Sequence, residues 1–160
     1  MVGWARMISL HGGFMNLEIC EIPFEKRLYG RSKPVLESQK PVDAMFAAMD
    51  ETWGIVRGNS IPNAGLDHIV YTNAQHVFAG LEIVGSVDTS WGLEQVDLVI
   101  PRYIYYRHVG AYDLLGQAYS SVNAEIATKG LETTGLSLEI YGPWSEDSAK
   151  LVTELLIGLK

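Results

Sequence analysis

Gly58 and Gly130 stand 72 residues apart, and each closes a run of apolar residues at helical spacing. The first run opens at Pro41, a residue that suits a first helical position because its missing N–H is unpaired there anyway. Val42, Met45, Phe46, Met49, Trp53 and Val56 then make one stripe. The second run opens at Val109-Gly110, and Tyr112, Leu115, Tyr119, Val122 and Ile126 step by three and four. A β-rich stretch precedes each helix, over 16–32 and 96–109, with Pro23 marking a bulge or edge in the first. Two strands follow each helix, at His68–Thr72 and 78–87, then at 136–141 and Val152–Leu159. Glu82 and Glu154 are also 72 apart, and Tyr71 and Tyr141 are 70 apart. Element order and spacing, rather than residue identity, therefore predict a duplication. The expected fold is α+β: two βαββ units related by a pseudo-twofold, an antiparallel sheet with two helices, and a central cleft between the halves. The half-repeats run over about 16–87 and 96–160 in one domain, 16–160, behind an N-terminal extension, 1–15. Loops join the elements at 33–40, 59–65 and 88–95.

Composition narrows what such a fold would do. Of the 160 residues 48% are hydrophobic and only 19% charged, enough apolar material for a real core. The net charge is −7 and no Lys/Arg cluster exists, which argues against nucleic acid as a partner. A single cysteine, Cys20, excludes an internal disulfide or a zinc ribbon and fits a reducing, cytoplasmic setting. No apolar run is long enough to span a membrane. His11, His68, His76 and His108 show no ligand spacing, so neither a metal nor another cofactor is expected. No phosphate loop and no nucleophile elbow occurs. Twelve of the sixteen aromatic residues are Tyr or Trp, rings with an apolar body and a polar tip. An acidic chain rich in such rings points toward organic cations.

Three features could carry that chemistry. In Leu136-Ser-Leu-Glu139-Ile-Tyr141 the alternation turns Ser137, Glu139 and Tyr141 to one face. As an amphipathic strand this is an ordinary solvated face; as a cleft floor, Glu139 is a carboxylate that needs hydrogen bonds or a cation. In the run Pro101-Arg-Tyr103-Ile-Tyr105-Tyr106-Arg-His108, Tyr103 and Tyr105 point together, Ile104 and Tyr106 oppositely. One face buries against helices, and the other offers tyrosines to a ligand, a partner or plain packing. Trp53 lies on the first helical stripe, where core is the simplest reading, while Trp91 and Trp144 lie in loops and either line a pocket rim or cover a core edge.

The segment Ile100-Pro101-Arg102-Tyr103-Ile104-Tyr105-Tyr106-Arg107-His108-Val109-Gly110-Ala111-Tyr112 resembles the GyrI-like, or AraC-type effector-binding, domain family. That family carries a Pro, an aromatic strand, and a His/Arg-x-Gly-x-Tyr step into its second helix. Leu138-Glu139-Ile140-Tyr141-Gly142-Pro143 is similar to its Glu-x-Tyr strand, 154–159 to its closing strand, and Glu21-Ile-Pro23 to its opening. The resemblance runs from about residue 16 to 160. It implies an effector held between two βαββ halves. By the motif match it gives Glu139, with Tyr141 beside it, the role of receiving lipophilic organic cations. Tyr103, Tyr105 and Tyr112 match the aromatic strand and helix start; Trp53 and Trp91 are further candidate ring walls. The family's regulators attach a helix-turn-helix domain, for which this chain shows no room, so it resembles stand-alone, integron-cassette drug-binding modules. The expected function is a binding module for amphipathic cations, with no catalytic residue assigned. The alternatives are a hydrolase of strained-ring compounds using Glu139 and Tyr141, or a modulator of a protein such as gyrase. A homodimer or a separate regulatory protein is a candidate partner.

Overall fold

The computed structural model describes residues 17–73 and 75–160, together with the backbone of Met7–Ser9. The expected N-terminal extension lies otherwise outside the described residues. The chain forms two compact units, one of residues 25–98 and one of residues 1–24 with 99–160. Both are α+β with antiparallel strands.

In residues 25–98 the elements are β3 (Phe24–Pro34), α1 (Pro41–Gly58), β4 (His68–Thr72), β5 (His76–Leu81) and β6 (Glu94–Ile100). Their sheet order is β4-β5-β3-β6. The other unit holds β1 (Met7–Ser9), β2 (Leu17–Cys20), β7 (Tyr103–Val109), α2 (Leu115–Thr128), β8 (Thr133–Tyr141) and β9 (Val152–Leu159). Its sheet order is β1-β2-β7-β9-β8. Each unit contains a run of strand, helix, strand, strand (β3-α1-β4-β5 and β7-α2-β8-β9), and in each run the last strand pairs between the other two.

Both long extended runs read from the sequence are broken at proline. The first becomes β2 and β3 around Pro23, and β2 pairs with β7 while β3 pairs with β5. The second becomes β6 and β7 around Pro101-Arg102. Proline has no N–H to give a ladder, so each run stops there and its two parts pair with different neighbours. The strand expected over 78–87 begins earlier, at His76, and ends at Leu81.

Helix α1 begins on Pro41, carries Asp43 in its first turn and Arg57 in its last, and so suits its own dipole at both ends. Its buried side is Ala44, Met45, Ala48, Thr52 and Val56. This corrects the expected stripe: Val42 and Phe46 are exposed, Phe46 by 56%. Small side chains let the helix approach the sheet closely, and Thr52 fastens it. The Thr52 hydroxyl donates to Ala79 O at 2.8 Å and accepts from the Arg31 N–H at 2.9 Å. Gly30 and Gly80 face each other across β3 and β5, where a Cβ on Gly30 would land on the Ala79 carbonyl.

Helix α2 begins at Leu115 rather than at Val109-Gly110, and buries Leu115, Val122 and Ile126 of the expected stripe together with Ala118, while Tyr112 stays outside it and exposed. A single 3-10 turn, Tyr112–Leu114, leads into it. Gly130, at φ +64, ends it in the left-handed region that glycine enters freely. The helix covers one face of its sheet, packing Val122 and Ile126 against Leu17, Ile19, Ile104, Ile157 and Leu159. Among the described residues no helix is long and apolar enough to cross a membrane.

Candidate functional site

The site is built on the face of the sheet under α2. Strand β8 alternates, and its register places Glu139 opposite Leu155 and Tyr141 opposite Thr153. Leu155 packs against Leu115 and Ala118 of α2, with Tyr106, Tyr119 and Tyr141 around it. The Glu139 face is therefore the helix face, not a solvated one, and Glu139 is only 5% exposed.

Two phenols satisfy this carboxylate. The Tyr119 hydroxyl, from α2, donates to Oε1 at 2.7 Å, and the Tyr141 hydroxyl donates to Oε2 at 2.5 Å. Among the described residues no Lys, Arg or His forms an ion pair with Glu139. Burial pushes its carboxyl above the usual carboxylate range, and the two phenol bonds pull the other way. Tyr112 stands edge-on against Tyr141, with ring centres 5.3 Å apart and planes at 77°. Its position follows from the turn before α2, where Gly110 at φ +141 donates its N–H to Leu151 O at 2.8 Å.

Of the residues singled out from the sequence, Glu139, Tyr141 and Tyr112 come together. Tyr103 and Tyr105 do not join them. Tyr105 pairs with Leu156, whereas Tyr106 pairs with Leu155, the partner of Glu139. Paired residues share a face, so Tyr103 and Tyr105 occupy the face away from Glu139. Tyr103 is buried there, edge-on to Phe24 at 6.4 Å and hydrogen-bonded to Cys20; burial raises its hydroxyl pKa. Tyr105 donates to Glu154 Oε1 at 2.6 Å, and burial followed by that bond raises its pKa. Trp53 and Trp91 both pack on the cluster of Val56, Ile61 and Leu81 in residues 25–98. The Trp53 indole N–H donates to Asp67 Oδ1 at 2.6 Å, and Arg57 lies 5.5 Å over its ring. Trp144 is 73% exposed in the loop after β8.

Tyr119 and Tyr106 also stand in the site; the spacing puts Tyr119 on an apolar stripe and leaves open which face of its strand Tyr106 occupies. A signal for Tyr119 was present. It sits seven residues after Tyr112 on a stripe otherwise aliphatic, and a phenol on a buried helix face needs an acceptor. Chemically, the cluster is a carboxyl group shielded from water, accepting two phenol protons and ringed by aromatic side chains. It can hold a positive charge, or it can pass a proton between carboxyl and phenol. Among the described residues no cluster of three His, Cys, Asp or Glu could hold a metal.

Neither protein-family models nor curated proteins give a match to the sequence. Solved structures do. The EcmrR C-terminal domain aligns with a TM-score of 0.66 at 21% identity, over 92% of this chain and 99% of that domain. SAV2435 bound to tetraphenylphosphonium aligns at 0.59 and 13% identity, over 91% of this chain and 93% of that one. A hydrolase from Listeria innocua aligns at 0.54 and 13% identity, over 94% of each chain. At these identities the likeness is one of fold: this chain folds as the C-terminal domain of EcmrR does.

Proposed function

We propose that this chain is a GyrI-like effector-binding domain for small amphipathic organic cations, with Glu139 receiving the positive charge. The observation that carries this reading is the carboxylate itself, buried under α2 with two phenol donors and, among the described residues, no ion pair to a cationic side chain. Burying a carboxylate without a counter-charge is costly, and a site that accepts that cost gains when a cation arrives. Tyr112, Tyr119 and Tyr141 offer rings for cation–π contact, each worth roughly 0.5–2 kcal/mol. A charge about 4 Å from the carboxylate adds on the order of 4 kcal/mol at an effective dielectric near 20. Desolvation and ordering cancel much of that sum, so affinities of about micromolar are expected. The similarity to a protein bound to tetraphenylphosphonium supports the same chemical class.

The test uses two probes of nearly one shape and opposite charge, tetraphenylphosphonium and tetraphenylborate, titrated while following tryptophan fluorescence. The parent should prefer the phosphonium. Glu139→Gln, which keeps the shape, should weaken phosphonium binding about tenfold or more, the loss of about 1.4 kcal/mol. A variant that binds the phosphonium as tightly as the parent overturns the assignment of Glu139.

A second reading is favoured by the contact between the Glu139 carboxylate and the Tyr141 hydroxyl, a base and an acid on one strand. Together with the likeness to a hydrolase, it suggests opening of strained, electrophilic rings. Turnover of a panel of activated cyclopropanes, abolished by Tyr141→Phe, would support it; no turnover across the panel removes it.

A further inference from the structure

Thr153 lies wholly inside the protein, and its hydroxyl has no hydrogen-bond partner among the described residues. Thr52 shows what a buried threonine ordinarily does, since its hydroxyl both donates and accepts. Leaving a buried hydroxyl unpaired is costly, and valine would fill the same volume on a strand without that cost. The position of Thr153 gives the hydroxyl a use. It pairs with Tyr141 on one side and His108 on the other, so His108, Thr153 and Tyr141 form one rung across β7, β9 and β8. The next rung on the same face is Tyr106, Leu155 and Glu139. The three buried polar or charged side chains of residues 99–160 are His108, Glu139 and Thr153, and all stand on these two rungs. His108 Nε2 is engaged with Ala111 O at 3.1 Å, which leaves Thr153 as the open donor.

Resting on the reading of Glu139 as a cation receptor, we infer that the ligand is bifunctional: a cation that also carries a hydrogen-bond acceptor, taken by the Thr153 hydroxyl. Glu139 and Thr153 are diagonal neighbours across β8 and β9, a relation that sets the two residues about 7–8 Å apart. An acceptor oxygen about six bonds from the charged nitrogen spans an interval of that order. Tyr141 lies beside both groups and Tyr112 rests on it, so a ligand reaching both turns these two rings aside. Thr153 acts here as a specificity-determining residue. It separates a keto-, ether- or ester-bearing ammonium from a plain alkyl one, whereas Glu139 and the rings hold both.

The matched probes are hexyltrimethylammonium and its 5-oxohexyl counterpart, measured by calorimetry on the parent and on Thr153→Val, Thr153→Ala and Thr153→Ser. The affinity ratio of keto to alkyl probe should fall about fivefold in the Val and Ala variants, the worth of one neutral hydrogen bond. It should be kept in Thr153→Ser, which retains the hydroxyl. An unchanged ratio in the Val and Ala variants overturns the inference while leaving the cation reading intact, and having two hydroxyl-less variants guards against one that fails to fold. If the parent binds neither probe, or if Glu139→Gln binds hexyltrimethylammonium as well as the parent does, the cation reading fails and the inference falls with it.

Discussion

Replacing Tyr119 by Phe keeps the ring and removes the hydroxyl that donates to a buried carboxyl group. The bond is 2.7 Å long, a contact worth about 1.5–3 kcal/mol when the carboxyl is ionised and about 1 kcal/mol when it is neutral. The loss should therefore depend on pH. Burial already raises the folded-state pKa of Glu139, so the folded protein holds its proton more tightly than the unfolded chain. Stability then falls as pH rises from the ordinary carboxylate value through the raised one. Tyr119→Phe withdraws a donor that favours the anion, so it raises the folded pKa further and steepens that fall. At a pH above the window the variant should lose about 2 kcal/mol, and at a pH below it about 1 kcal/mol. For a chain of this length the larger loss lowers Tm by about 4–8 °C. Urea unfolding of parent and variant across a pH series reads the two losses directly. A loss that does not change with pH would refute the account, because it would mean that the charge on Glu139 is not what the phenol holds.

Two further changes test the unit of residues 25–98. Thr52→Val should cost about 2–3 kcal/mol in urea unfolding, since it leaves both the Ala79 carbonyl and the Arg31 N–H without their partner. Gly30→Ala should cost about 3 kcal/mol or more, or prevent folding, because the added methyl meets backbone atoms of β5 that cannot step aside. In both cases cation affinity per folded molecule serves as the control readout.

How far the sequence could be read follows the physics of each element. The alternation in 136–141 placed Glu139 and Tyr141 on one face because a strand's period is two residues, with little tolerance. It could not say which face is covered, and so favoured a solvated strand for a carboxylate that is 5% exposed. The α1 stripe misled for a related reason. Large apolar side chains drew the reading toward Phe46, whereas the sheet contact uses Ala44, Ala48 and Thr52, small residues that close approach requires. Tyr103 and Tyr105 were correctly put on one face of their strand. The face that Glu139 shares is the other, and only the register through β9 decides that. Spacing predicts the elements within each half, but pairing between strands far apart in the chain is set by packing that no local pattern records.

The same accounting bears on what Glu139 does. Each carboxylate oxygen has two acceptor positions, and a phenol proton fills one on each. Those protons favour the anion, and burial favours the acid. A general base works best when its charge is free to take up a proton, and two donors already on its oxygens blunt that basicity. They do not blunt attraction to a permanent charge, which itself favours the ionised carboxylate in a low dielectric. A quaternary cation has no proton to give, so Glu139 can hold it by charge alone. The two-residue interval between Glu139 and Tyr141 builds this in locally, since neighbours on one strand face share it whatever the rest of the chain does. The second phenol, brought by α2, is what ties the charge state of the carboxylate to the folded state.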